Sequence, residues 1–430
     1  MSAEVSGVTD ANRAPFVRRS GTLFCEDISL HDLAQRFGTP LYVYSRRAIL
    51  DAYEQYRGAL SGRESLVCYA VKANSNLGVL NLLARAGSGF DIVSGGELAR
   101  VLAAGGTAAR TVFSGVGKTE DEIENALRSQ ILCFNVESDF ELRTISAVAA
   151  RLGRRAPISL RVNPQIDPGT HPYIATGLKS SKFGVAYEQA IDLYRRAAAD
   201  PHLEVAGIDC HIGSQIAHAA PFEQAADRLL DVVDRLEREG IGLRHLDFGG
   251  GLAIAYRDES PPTIAEWVGA IVRRVDERGH RGKMLLVEPG RSIVGAAGAL
   301  LMRVIGWKDG SGGTFAIVDA AMNDQLRPAL YDAWMDVQPV VARSEPPRSA
   351  DVVGPICESG DWLARGRMLS VAAGDVLAMF GAGAYGMSMA SNYNSRCRAA
   401  EVIVDGSHAH CVRQRERIDD LMAGESMISD

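Results

Sequence analysis

From residue 66 to residue 291 the chain alternates short apolar runs with longer amphipathic stretches, and few architectures accept that pattern. The apolar runs cover residues 66–72, 89–94, 111–115, 133–137, 158–163, 207–213, 245–249 and 285–289. Ala- and Leu-rich segments with helical spacing separate them, among them 76–86, 95–104, 119–128, 139–151, 187–199 and 221–238. Eight βα units over this length predict an α/β fold, a (β/α)8 TIM-like barrel, with a doubly wound open sheet as the weaker alternative. Helix starts are marked by Ser94 ahead of Glu97 and by a capping box at Thr119 and Glu122, both structural features.

After residue 300 the texture changes. Runs at 314–320, 349–353, 375–380 and 399–404 read as strands separated by Gly/Pro turns without long helices, which predicts a mainly β C-terminal domain. Residues 18–44 read as two short strands around a small helix at 31–37, a segment expected to pack with that β region. The division is then a flexible N-terminus at 1–17, the N-terminal segment at 18–45, the barrel at 46–300 and the β domain at 301–430.

At 430 residues and 47% hydrophobic content the chain can bury a large core. A net charge of −7 with Arg and Glu interspersed leaves no basic surface, which argues against nucleic acid and anionic membranes as partners. No apolar run reaches the roughly 18 residues that span a bilayer, and the first residues lack the apolar centre of a signal peptide. Seven scattered cysteines without a CxxC pair fit reduced thiols in the cytoplasm.

Catalytic groups of such barrels gather at the C-terminal ends of the strands. The runs carry Lys72 at the end of the first, Asp91 in the second, Arg161 in the fifth and His211 in the sixth. Gly249-Gly250-Gly251 follows the seventh, and Glu288-Pro289-Gly290-Arg291 closes the eighth. Taken alone, a glycine triplet is more often a tight turn than an anion site, and a strand-end Lys or Glu is more often a solvated rim charge. Their joint placement points elsewhere. Glycines let backbone N–H groups approach a phosphate, and a lysine, an imidazole and a carboxylate at the same mouth suggest pyridoxal phosphate held as a Schiff base. Lys72 would supply the amine, Glu288 would keep the pyridine nitrogen protonated, His211 would stack on or hydrogen-bond to the ring, and Ser214 could add a phosphate donor.

The chain resembles the barrel-type, alanine-racemase-like pyridoxal phosphate enzymes and, within them, the diaminopimelate decarboxylase family. The resemblance rests on CYAVKAN at 68–74, GFDIVSGGELAR at 89–100, HIGSQI at 211–216, FGGGL at 248–252 and EPGRS at 288–292. More specific are DAAMNDQLRPALYDAW at 319–334, GPICESGDWLA at 354–364 and GAYGMSMASNYNSR at 383–396. It implies that Lys72 is the Schiff-base lysine and that Gly250, Gly251, Gly290, Arg291 and Tyr385 help hold the cofactor phosphate. It also implies that Arg291, Arg327 and Tyr331 bind the distal carboxylate of the substrate, with Tyr385 close by, while Glu358 takes its distal ammonium. Cys357 would come from a partner subunit to protonate the decarboxylated carbon, so the expected assembly is a homodimer with shared active sites. The implied reaction converts meso-2,6-diaminopimelate to L-lysine and carbon dioxide, the last step of lysine biosynthesis.

Small departures from the family pattern are Ala320 in Asp319-Ala-Ala-Met322, Ala253, and Cys397 where proline is usual. A racemase would prefer a cationic partner for the pyridine nitrogen, so Glu288 favours decarboxylation. Decarboxylases of ornithine, lysine, arginine or a carboxylated polyamine would share the cofactor residues, but Arg327 with Glu358 favours a distal amino-acid group. A decarboxylase of a conjugated diaminopimelate and a non-catalytic cofactor-binding homologue are the remaining alternatives. His408 and His410 alternate along a strand and share one side of it, but with Cys411 they lack a fourth ligand, so no metal site is expected.

Overall fold

The computed structural model describes residues 14–428, apart from 168, 172, 173, 175, 178–180 and 312. The expected flexible stretch at 1–17 therefore lies largely outside the described residues. The chain forms two compact units, Ala52–Ile293 and a second that joins the segment up to Asp51 with Val294–Asp430.

The first unit is a closed ring of eight parallel strands: Ser65–Ala70, Gly89–Ile92, Thr111–Phe113, Cys133–Val136, Ala156–Asn163, Leu203–Asp209, His245–Asp247 and Met284–Val287. The last pairs with the first, Leu285 opposite Ser65 and Val287 opposite Val67, so no edge remains in the ring. All eight expected strands and the barrel they imply are present. Leu66, Cys68, Val112, Cys133, Ala206 and Leu286, drawn from five of the strands, pack together in one buried cluster. Helices follow the strands, and their starts are capped as the residues suggested. Ser94 Oγ accepts from Glu97 N, and Thr119 and Glu122 form a reciprocal capping box.

The second unit is mainly β. Its large sheet runs in the order Trp362–Leu369, Arg348–Val353, Gly313–Val318, Gly298–Gly310, Leu41–Ser45, Ala400–Asp405, His408–Arg413, and Val376–Phe380 branches from the long strand. The N-terminal strand Leu41–Ser45 lies inside this sheet, antiparallel to Gly298–Gly310 and parallel to Ala400–Asp405. The N-terminal segment thus belongs to the β unit, as expected, although three short strands, not one, precede its helix Leu30–Phe37. Leu30, Leu33 and Ala34 of that helix bury against Leu41, Val43, Leu301 and Val402.

Candidate active site at the barrel mouth

The ionisable groups of the barrel sit at or just past the C-terminal ends of its strands, and three of them move off the strands expected to carry them. The first strand stops at Ala70, whose N–H donates to Pro289 O over 3.1 Å, and the chain then tightens into a 3-10 turn, Val71–Ala73. Tyr69 Oη donates to Asn74 O at 3.0 Å and Asn74 Oδ1 accepts from Asn76 N at 3.1 Å, which closes that turn. Lys72 is therefore a turn residue and not a strand residue. Its side chain is 36% exposed, and Nζ lies 2.5 Å from Oδ2 of the fully buried Asp91. His211 and Glu288 likewise follow the strand ends at Asp209 and Val287.

Behind Lys72 the barrel interior is crowded with acid. Asp209, Asp247 and Glu288 are buried, and their carboxylate oxygens lie within 4.8 Å of one another. Two unit charges at that distance repel by roughly 3 kcal/mol even at an effective dielectric constant near 20. Burial, reinforced by Asp247, Asp91 and Asp209, pushes the Glu288 carboxyl well above the usual range, and Lys72 opposes the shift. Burial pushes Asp247 up to about 7, although its Oδ1 accepts from Gly249 N at 2.9 Å. Asn135, wholly buried, donates from Nδ2 to Glu288 Oε1 at 3.2 Å and to Ser114 Oγ at 3.1 Å. Arg161 bonds Glu137 at 2.9 Å and stands 3.9 Å from Asp209. Burial opposes its charge, but Glu137, Asp209 and Glu288 outweigh that and keep the guanidinium protonated.

His211 is neutral. Desolvation, with Arg161 and Lys72 nearby, pushes its imidazole well below the usual range. Nδ1 accepts from Gly250 N at 3.1 Å, which leaves the ring proton on Nε2. A side chain at Gly250 would put Cβ 2.2 Å from Glu288 O, and one at Gly290 would put it 2.9 Å from Ala73 Cβ, so both glycines are required by close backbone approach. Arg291 is buried and fixed from two sides: Nη2 donates to Ser214 Oγ at 3.0 Å and Nη1 to Tyr256 Oη at 2.8 Å.

The other expected site residues belong to the β unit. Arg327, buried, starts a five-residue helix that ends at Tyr331. Cys357 and Glu358 are exposed on a turn. Cys357 N donates to Asn394 Oδ1 at 2.7 Å, and Tyr393 Oη donates to Glu358 Oε2 at 3.3 Å. Tyr385, Asn394 and Ser395 all hold left-handed backbone, with φ of 55°, 56° and 52°. That concentration of unfavourable conformations is a common mark of a functional segment. His408, His410 and Cys411 form no ligand cluster. Asp209, Asp247 and Glu288 are the one such grouping among the described residues.

Sequence reasoning missed Asp209, Asp247, Asn135, Tyr256 and Tyr393. Period-two alternation carried a usable signal: Asp209 precedes His211 by two residues and Asp247 precedes Gly249 by two, so each acid shares the inward face of its strand. The arrangement suits pyridoxal phosphate. Lys72 offers an amine at the mouth, Arg291 and the glycine turns offer anion donors, His211 offers an uncharged flat ring, and three crowded carboxyls need positive charge near them.

Residues 46–295 match the family described as pyridoxal-dependent decarboxylase, pyridoxal binding domain. A diaminopimelate decarboxylase of Pseudomonas aeruginosa is 58% identical over 413 residues, 96% of this chain and 99% of that protein. One of Neisseria meningitidis is 54% identical over 404 residues, 94% of this chain and 99% of that protein. Among solved structures, the diaminopimelate decarboxylase of M. jannaschii in co-complex with L-lysine superposes with a TM-score of 0.92 at 37% identity, over 97% of this chain and 99% of that one. The Helicobacter pylori enzyme complexed with L-lysine gives 0.88 at 42% identity, over 91% and 98%. No helix among the described residues is long and apolar enough to cross a membrane. The chain belongs to the diaminopimelate decarboxylase family of pyridoxal-dependent decarboxylases.

Proposed function

We propose that this protein decarboxylates meso-2,6-diaminopimelate to L-lysine with pyridoxal phosphate as cofactor. One observation carries the reading: the strand ends of a single barrel bring an amine (Lys72), an anion clamp (Ser214, Arg291) and a buried carboxyl cluster (Asp209, Asp247, Glu288) to the same mouth. The L-lysine bound to two of the structural relatives supports the choice of substrate.

Pyridoxal phosphate, when bound, supplies a ring that accepts the electron pair left behind by the departing carboxyl group. Lys72 would supply the amine that holds the cofactor when no substrate is bound. Glu288, its carboxyl pushed well above the usual range by burial and the neighbouring acids, would hold a proton for the ring nitrogen and pair with it there. His211, uncharged, would offer a flat ring to the cofactor without competing for that proton. The N–H groups around Gly250, Gly251 and Gly290, with Ser214, Arg291 and Tyr385, hold the phosphate.

At the other end of the substrate, Arg327, Arg291 and Tyr331 bind the distal carboxylate and Glu358 the distal ammonium, so only one end reacts. Tyr385 lines the same position. Cys357 delivers the proton to the decarboxylated carbon from the partner subunit of a homodimer, and its exposed turn supports that assignment. Free thiols at all seven cysteines support a cytoplasmic setting. Protein loaded with pyridoxal phosphate is expected to release carbon dioxide and L-lysine from meso-diaminopimelate far faster than carbon dioxide from ornithine, arginine or lysine. Release from one of those amino acids but not from diaminopimelate would overturn the reading.

A further inference from the structure

The donor that meets Glu288 is an uncharged amide. Asn135 stands on the fourth barrel strand, Cys133–Val136, and is wholly buried. Its Nδ2 donates to Glu288 Oε1 at 3.2 Å and to Ser114 Oγ at 3.1 Å, so both amide hydrogens are used. Its Oδ1 faces the Cys133 thiol, a weak donor, at 3.8 Å. The cations at the mouth bond other acids, Lys72 pairing with Asp91 and Arg161 with Glu137.

An amide N–H on one oxygen of a carboxyl has two effects. The carbonyl oxygen of an acid is the better acceptor, so a donor on Oε1 leaves the acid proton to Oε2. The same donor stabilises the carboxylate that remains once the proton departs, and so offsets part of what burial and the acids Asp247, Asp91 and Asp209 impose on Glu288. Glu288 also bonds the Asp247 side chain, and that bond favours the Asp247 anion, so Glu288 is its donor. The donating oxygen there is then Oε2.

We propose that Asn135 is a positioning residue for Glu288: its amide N–H holds Oε1 and leaves Oε2 as the oxygen that bears the proton for the cofactor's ring nitrogen. Once the nitrogen has that proton, the same N–H favours the carboxylate and keeps the proton on the ring. No bond between heavy atoms changes and no further reactant is needed. The inference rests on the reading of Glu288 as the partner of that nitrogen.

Asn135→Leu keeps the bulk and removes the donor, and Asn135→Ala removes both in case leucine is not tolerated. Wild type and both variants are loaded with pyridoxal phosphate isotope-labelled at the ring nitrogen and followed by nitrogen NMR. In wild type the resonance is expected at the protonated position, and in the variants it should move toward the neutral one. In the variants kcat should fall about 10- to 100-fold while KM stays within about threefold, the effect of losing one hydrogen bond to a charged group. An Asn135 that only filled space would change the amount of loaded protein without moving the resonance of what remains. An unmoved resonance or an unchanged kcat in both loaded variants overturns the inference alone, as does failure of both to take up the cofactor. A neutral ring nitrogen in wild type overturns the reading of Glu288 and this inference with it.

Discussion

Lys72 and Arg291 are both cations at the barrel mouth, yet their surroundings prepare them for different work. Lys72 has a compact ammonium on a flexible stem, 36% exposed and paired with Asp91. Arg291 is buried with its planar fork held by Ser214 and Tyr256. The first suits covalent attachment and the second suits an anion. Glu288 connects to both through the ring it would face. Glu288→Gln is expected to retain cofactor binding, seen as absorbance of the bound cofactor, while turnover falls at least about 100-fold. Near wild-type turnover would remove Glu288 from its role. At this scale the sequence disclosed the residues that form recognisable motifs, such as Lys72 in CYAVKAN. It did not disclose Asp247 or Asn135, because an acid or amide inside a strand gains meaning only when other strands bring their acids beside it.

Among the elements, the barrel strands were legible because each is a short apolar run bounded by turn residues and followed by a helical period. Their ends were not. Val71-Lys72-Ala73 continues the apolar texture of its strand, and only the closure by Tyr69 and Asn74 makes it a turn. In the β unit, Gly298–Gly310 and Trp362–Leu369 escaped notice: the first continues the apolar end of the barrel, and the second is an edge strand broken up by Arg365, Gly366 and Arg367. The helix after the third barrel strand offers a clean test of local reasoning. Thr119 caps Glu120–Ser129, and Glu122 accepts both from Thr119 N at 3.0 Å and from Gly95 N at 2.8 Å. Thr119→Ala should cost about 1 kcal/mol. For 430 residues melting together, that cost lowers the melting temperature by about 1 °C. Calorimetry would check it, with Glu122→Ala expected to cost more because it also releases Gly95.

For the molecule as a whole, the proposed assembly makes a prediction that no single subunit can meet. Lys72→Ala and Cys357→Ala homodimers should each be inactive or nearly so, whereas mixing them should restore activity toward a quarter to a half of wild type in verified heterodimers. The recovered activity would come from the one mouth that has both groups. No recovery would argue against active sites shared between subunits.

The place of Leu41–Ser45 in the large sheet has a consequence for how the protein is made. Its two neighbours, Gly298–Gly310 and Ala400–Asp405, lie far downstream in the chain. At synthesis rates of ~5–20 residues per second, this strand leaves the ribosome many seconds before either neighbour exists. All five of its residues are destined for burial, so throughout that wait it is an unpaired apolar strand in search of an edge. The barrel can close on its own sequence as it emerges; the sheet that begins first must finish last.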